Sequence, residues 1–255
     1  MNFWDVFSEM LVILFAIAAG YAANRLGYLG GETDQKVSKL LLNITMPAMI
    51  VAAVVTGITL AEELKGRGYR LLAAGEMGIG NTTTAAAVTA VLLGRRVEEV
   101  TGRGAGLSDE GLERKIAVIR RAIEVNAPDP RDPLDVLSKV GGLDIAGMAG
   151  FYLGAALHHV PVVLDGAISA AAALLAVRLC PDAAKALIAS HRSAEPSSGL
   201  LLDALGLRPI VSADLKLGEG TGAVTIMPML DMAMSIYRDM ATFQGLGIPP
   251  YRRQS

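Results

Sequence analysis

Gly75-Glu76-Met77-Gly78-Ile79-Gly80-Asn81-Thr82-Thr83-Thr84 lies between a short apolar run, Arg70 to Ala74, and a helix-like stretch, Thr82 to Leu93. A strand that ends in a glycine-rich turn and passes into a helix is the building unit of parallel α/β sheets. It also aims backbone amides and a helix N-terminus at any anion seated on the turn. The turn comes within one residue of a P-loop: Gly75 and Gly80 have the spacing, but Asn81 stands where the lysine belongs. It departs from the dinucleotide fingerprint at Thr83, which occupies the third glycine position. Both departures weaken a kinase or dehydrogenase reading. By spacing alone, a phosphate site and an ordinary tight turn are equally favoured, with Asn81 or Thr82 placed to cap the helix.

The same rhythm recurs downstream. Val160 to Leu164 is a short β-branched run that ends at Asp165-Gly166 and is followed by the alanine-rich Ile168 to Leu179. Ala186 to Ser190 is another short apolar run before a polar turn. This alternation predicts an α/β fold, a mainly parallel sheet with flanking helices in a Rossmann-like three-layer arrangement. Ligands of such sheets bind beyond the carboxyl ends of the strands, where these turns fall.

Four further turns carry polar chemistry. In Gly102-Arg103-Gly104-Ala105-Gly106 the alternate glycines suit a backbone that must lie close to something, and Lys115 beyond it offers a point charge for a phosphate. A flexible loop before an amphipathic helix explains the same pattern. Asp165 sits at a strand end, where a site residue and a plain turn aspartate are equally at home. Ser190-His191-Arg192-Ser193-Ala194-Glu195-Pro196 gathers hydroxyls, an imidazole and a guanidinium into a credible anion cradle. In Leu217-Gly218-Glu219-Gly220-Thr221-Gly222-Ala223 the acid is flanked by glycines, so its backbone can approach a ligand closely; a carboxylate there suits general-base work, or is a turn glutamate. There is no Gly-x-Ser-x-Gly elbow for a serine hydrolase. The adjacent His158 and His159 diverge on a helix or a strand, which argues against a metal pair.

Composition narrows the classes. The 255-residue chain is long enough for one large domain, or one with an appendage. A formal net charge of −2 gives no electrostatic case for nucleic acid. The single cysteine, Cys180, excludes an internal disulfide framework and a multi-cysteine metal site. The apolar excess lies mainly before residue 62: Met10 to Asn24 and Leu40 to Ala61 carry no charge. The second run is long enough to span a bilayer as a helix, with Asn43 and Pro47 interrupting it. Gly27, Gly30 and Gly31 break the two runs. Residues 1–60 are therefore expected to form an apolar helical hairpin, either a membrane contact or a buried hairpin of a soluble protein, ahead of an α/β domain at 61–255.

Taken together and in order, the five turns of residues 61–243, with the closing Met240-Ala241-Thr242-Phe243, resemble the nicotinate-nucleotide–dimethylbenzimidazole phosphoribosyltransferase family. The resemblance implies transfer of phosphoribosyl from nicotinate mononucleotide to 5,6-dimethylbenzimidazole, giving nicotinate and α-ribazole 5′-phosphate in cobalamin lower-ligand synthesis. It implies Glu219 as catalytic base and Glu76 as its catalytic partner. Substrate and phosphate contacts are implied at Gly78, Gly80, Asn81, Gly104, Lys115, Ser193, Leu217 and Gly218, with no metal and no cofactor. A homodimer in the cytoplasm is the expected assembly. Residues 1–58, with Gly20-Tyr21, Arg25-Leu26-Gly27 and Leu42-Asn43-Ile44-Thr45-Met46-Pro47, resemble the opening hairpin of auxin-efflux-carrier-type permeases. That hairpin stands where the family carries much of its base-binding pocket. The domain is thus expected to be incomplete, and the alternative to an active enzyme is an impaired fragment or a fusion to a permease-like hairpin.

Overall fold

The computed structural model describes residues 21–22, 25–27, 31–77, 80–104 and 106–249. The first apolar run falls outside them apart from Tyr21 and Ala22, as does Gly78 of the first glycine turn. Residues 1–48 and 49–255 form two compact units. In the first, α1 (Gly31–Leu40) is followed by a π-helical turn, Leu41–Thr45, which contains Asn43. In the second, strands alternate with helices, as the glycine-punctuated sequence predicts.

Helix α2 (Met46–Gly66) continues directly from the π-helical turn and carries Pro47 next to that junction. It buries one stripe, Ile50, Gly57 and Ala61, while Met49, Val51, Val55 and Leu60 remain exposed. The stripe meets α7 (Leu143–Leu157) at backbone distance. A Cβ on Gly57 would lie 2.1 Å from the Gly147 carbonyl oxygen, and one on Gly150 would lie 2.0 Å from that of Val54. Asn43–Gly66 is also the one helix among the described residues that is long and apolar enough to cross a membrane.

The sheet is short and parallel, in the order β1 (Leu72–Ala74), β2 (Val162–Leu164), β3 (Leu187–Ala189). Leu72, Ala73 and Ala74 pair with Val162, Val163 and Leu164, which pair in turn with Leu187, Ile188 and Ala189. Side chains alternate between faces, as a pleated strand requires. Leu72, Val162, Leu164 and Leu187 join the large core, which also holds residues of α3 (Asn81–Leu93), α7, α8 (Ala167–Leu179) and α9 (Ser197–Leu205). Val163 points to the other face, where it clusters with Ala223 of α10 (Thr221–Thr225) and Ile226, and with the flanking Leu71 and Ile188. The sheet is thus covered on both faces, the condition under which β2 can be apolar at every position. A second parallel pair, β4 (His191–Arg192) with β5 (Val211–Ser212), extends the architecture beyond β3. Between β1 and β2 lie α4 (Val97–Val100), α5 (Asp109–Asn126), α6 (Pro133–Val140) and α7; α11 (Met227–Asp239) follows α10.

Candidate active site

Each strand delivers a turn to the same edge. β1 runs into Gly75-Glu76, β2 into Asp165, β3 into Ser190, and β4 into Ser193. Between these turns lies a cavity of about 790 Å³. Glu76 and Asn81 line it from the first turn, Gly104 from the second, Ser193 from the fourth, and Leu217, Gly218 and Glu219 from the fifth. Gly80 and Lys115 are not among the lining residues.

One wall is made by two turns locked backbone to backbone. The Glu219 N–H donates to the Glu76 carbonyl at 3.0 Å. A Cβ on Gly75 would lie 2.1 Å from the Gly220 nitrogen, so only glycine allows this approach. Glu219 adopts φ +63° and Gly220 φ +81°, a left-handed pair that costs the glutamate conformational energy. Behind them, Asp165 is buried and takes three backbone amides. Its Oδ1 accepts from Gly222 at 2.7 Å and Ala223 at 3.3 Å, and its Oδ2 accepts from Gly220 at 3.1 Å.

The opposite wall is the Gly102–Gly104 loop. Glu195 Oε1 accepts from the Gly104 N–H at 3.0 Å, and a Cβ on Gly102 would lie 2.0 Å from Glu195 Oε2. Lys115 Nζ donates to Thr82 Oγ1 and to the Gly102 carbonyl, both at 2.9 Å, and so ties this loop to the start of α3. Burial pushes the Lys115 ammonium below the ordinary lysine range, and the Glu195 carboxylate opposes that shift. Lys115, for which the sequence suggested a direct phosphate contact, is buried and holds this loop through the Gly102 carbonyl. No side chain caps α3, whose N-cap Gly80 is left-handed at φ +90°. Among the described residues, Asn81 Nδ2 and Ser193 Oγ are buried without a hydrogen-bond partner, and both residues line the cavity. A buried donor or hydroxyl left unpaired is costly unless something polar meets it.

The fourth turn divides differently from the cradle its composition suggested. His191 is buried against Gly222, where a Cβ would fall 2.1 Å from the imidazole, and Arg192 packs against Gly199. Ser190 Oγ donates to the Asp165 carbonyl at 3.1 Å and lies 2.9 Å from His191 Nδ1. Of this turn, Ser193 to Pro196 reach the cavity, while Ser190, His191 and Arg192 do not. Sequence reasoning weighed Asp165 against a plain turn aspartate and placed Glu195 only within a cradle, and it assigned neither the anchoring role that the structure shows. The only hint of Asp165 was its place at the end of an all-apolar strand, and nothing local marks Glu195 as the anchor of a loop so distant in the chain.

The family described as "Phosphoribosyltransferase" matches residues 42–248, starting inside the second apolar run. The nicotinate-nucleotide–dimethylbenzimidazole phosphoribosyltransferase of Acetivibrio thermocellus is 48% identical over 229 residues, which is 88% of this chain and 65% of that protein. That of Desulforudis audaxviator is 50% identical over 227 residues, 87% of this chain and 64% of the relative. The crystal structure of CobT from Thermus thermophilus superimposes with a TM-score of 0.75 at 46% identity, covering 80% of this chain and 60% of that one. The chain thus spans a little under two thirds of the length of the relatives it matches. It belongs to the nicotinate-nucleotide–dimethylbenzimidazole phosphoribosyltransferase family.

Proposed function

We propose that the chain transfers the phosphoribosyl group of nicotinate mononucleotide to 5,6-dimethylbenzimidazole, releasing nicotinate and α-ribazole 5′-phosphate. The observation that carries this reading is the pairing of Glu76 and Glu219 on interlocked turns, across a cavity that also holds the unpartnered Asn81 Nδ2 and Ser193 Oγ. The 5′-phosphate is read onto the uncapped start of α3, with Gly104, Ser193 and Gly218 around it; helix amides and their dipole favour an anion there. The bond from C1′ to the pyridine nitrogen breaks with its electron pair going to nicotinate. The unprotonated nitrogen of the benzimidazole bonds to C1′ from the other face, and the N–H proton on the ring's other nitrogen passes to the Glu219 carboxylate. Glu76 stabilises the positive charge that develops on the ribose. The reading carries with it a cytoplasmic setting and a dimeric assembly.

The test supplies both substrates to the full chain and to Glu219→Gln. The expected result is product formation that the variant abolishes, with nicotinate mononucleotide still bound by both. A parent chain that binds nicotinate mononucleotide yet makes no product favours the impaired-fragment alternative. That alternative draws on one fact, that over a third of each relative has no counterpart here. For the first 60 residues, we infer that α2 belongs with the α/β unit, since its buried stripe of Ile50, Gly57 and Ala61 is occupied by α7.

A further inference from the structure

Asp165 has no place in the proton and phosphate chemistry just described, yet its buried carboxylate accepts three backbone N–H groups. It follows β2, the central strand, and is 6% exposed. Its own main chain is fixed on both sides: its N–H donates to Ser169 Oγ at 3.0 Å, and its carbonyl accepts from Ser190 Oγ. Ser169 is held in turn by the buried Tyr152 hydroxyl at 2.6 Å. The carboxylate that projects from this anchored point gathers the N–H groups of Gly220, Gly222 and Ala223, the residues that immediately follow Glu219.

We infer that Asp165 is a positioning residue whose carboxylate holds the Glu219 turn in its left-handed conformation and so sets where the Glu219 side chain meets the substrate. This rests on the reading of Glu219 as the base. Three features support it. Glu219, at φ +63°, sits in a region of backbone space that is unfavourable for a residue other than glycine and is kept there by its surroundings. Both Asp165 oxygens are in use, on amides from either side of Thr221. Gly222 has no room for a side chain, because a Cβ would lie 2.8 Å from Asp165 Oδ1 and 2.1 Å from the His191 ring. The turn is therefore pressed against its anchor.

The chemistry singles out one diagnostic substitution. Asparagine has the shape of aspartate but replaces one oxygen with an NH2 group. Whichever way that amide turns, a donor faces a donor, either at Gly220 or at the Gly222 and Ala223 pair. Three measurements on the full chain test the idea: steady-state kinetics, nicotinate mononucleotide binding, and backbone amide hydrogen exchange over residues 218–224. For Asp165→Asn, kcat is expected to fall about 100-fold, as a misplacement near 1 Å can cause. KM and Kd for nicotinate mononucleotide should stay within threefold, since of the groups read around its phosphate only Gly218 belongs to this turn. Exchange in the turn should speed up at least tenfold. A variant with kcat within threefold of the parent, or one that loses binding while keeping kcat, overturns the inference. If Asp165→Asn does not fold, Ser169→Ala frees the Asp165 main chain without touching the carboxylate. It is expected to lower kcat several-fold at constant KM with faster exchange in the turn, and unchanged kcat and exchange overturn the inference equally. If the parent makes no product, the proposed function fails, and the exchange comparison alone decides the role of Asp165: unchanged exchange sinks it, and faster exchange sustains it.

Discussion

The two walls of the cleft are each anchored by an acid, and the surroundings of those acids differ. Asp165 is buried at the end of the central strand and faces only backbone amides and a neutral-leaning imidazole. Glu195 is half-buried on a connecting turn, holds one amide of a glycine loop, and has the Lys115 ammonium in its field. The first arrangement locks two turns together and so fixes the Glu219 carboxylate that we propose as the base. The second keeps a loop in place while leaving its amides close to the cavity, which suits an anion that must enter and leave. Geometric precision and ligand access are thus divided between opposite sides of one cavity.

The sharpest way to break this division is at the interlock itself. Gly75→Ala places a methyl group 2.1 Å from the Gly220 nitrogen, a clash with backbone that no side-chain rotation relieves. Destabilisation of about 3 kcal/mol is expected, at the upper end for overpacking. Turnover should fall at least as far as in Asp165→Asn, because the same turn is displaced. Denaturant titration and the product assay measure both, and a variant as stable and active as the parent would show the two turns to be loosely apposed.

On the opposite wall the expected effect is smaller. Glu195→Gln keeps an acceptor for the Gly104 N–H but loses the charge that opposes the desolvation of Lys115. A charged hydrogen bond exceeds a neutral one by about 1 kcal/mol, which corresponds to roughly a fivefold weaker Kd for nicotinate mononucleotide. Calorimetric titration reads this directly. A larger loss in kcat than in affinity would mean that this wall, too, positions reacting groups.

Much of this was legible in the chain, and the missing part has a physical cause. Val162, Val163 and Leu164 are apolar without alternation, which marks a strand covered on both faces, and the glycine turns announce themselves because few other residues permit such backbones. Those signals are local. The anchors are not: Asp165 acts on Gly220 and Gly222, and Glu195 on Gly102 and Gly104, pairs that only the folded sheet brings together. Lys115 was recognisable as a cation near a glycine-rich loop, but that its ammonium meets the loop carbonyl depends on packing that spacing does not encode. The charge-free run at residues 40–61 shows the same limit. Its hydropathy fits a membrane span, whereas the Gly57 and Gly150 contacts that seat α2 on α7 lie far apart in the sequence.

The smallest expected effect separates the walls by their response to pH. Burial pushes the His191 imidazole below its ordinary range, and the Asp165 carboxylate only partly opposes this. In the folded chain His191 therefore stays neutral to lower pH than in the unfolded chain, where it protonates near pH 6.5. As pH falls below about 6.5 the unfolded state binds the extra proton, so the folded state loses stability until the lowered folded pKa is passed. One group can change stability by at most about 1.4 kcal/mol per pH unit. His191→Gln lacks this titration, so the stability difference between parent and variant should shift against the parent on acidification and stay level between pH 7 and 8. Comparing the two chains in denaturant at each pH cancels the carboxylates they share. Lys115 is common to both chains, so the Gly102–Gly104 wall should contribute nothing to the difference. A gap that widens in favour of the parent as pH falls would mean that His191 gains its proton on folding, with Asp165 as its ion-pair partner, and the Glu219 turn would then be anchored by a charge pair instead of a lone carboxylate.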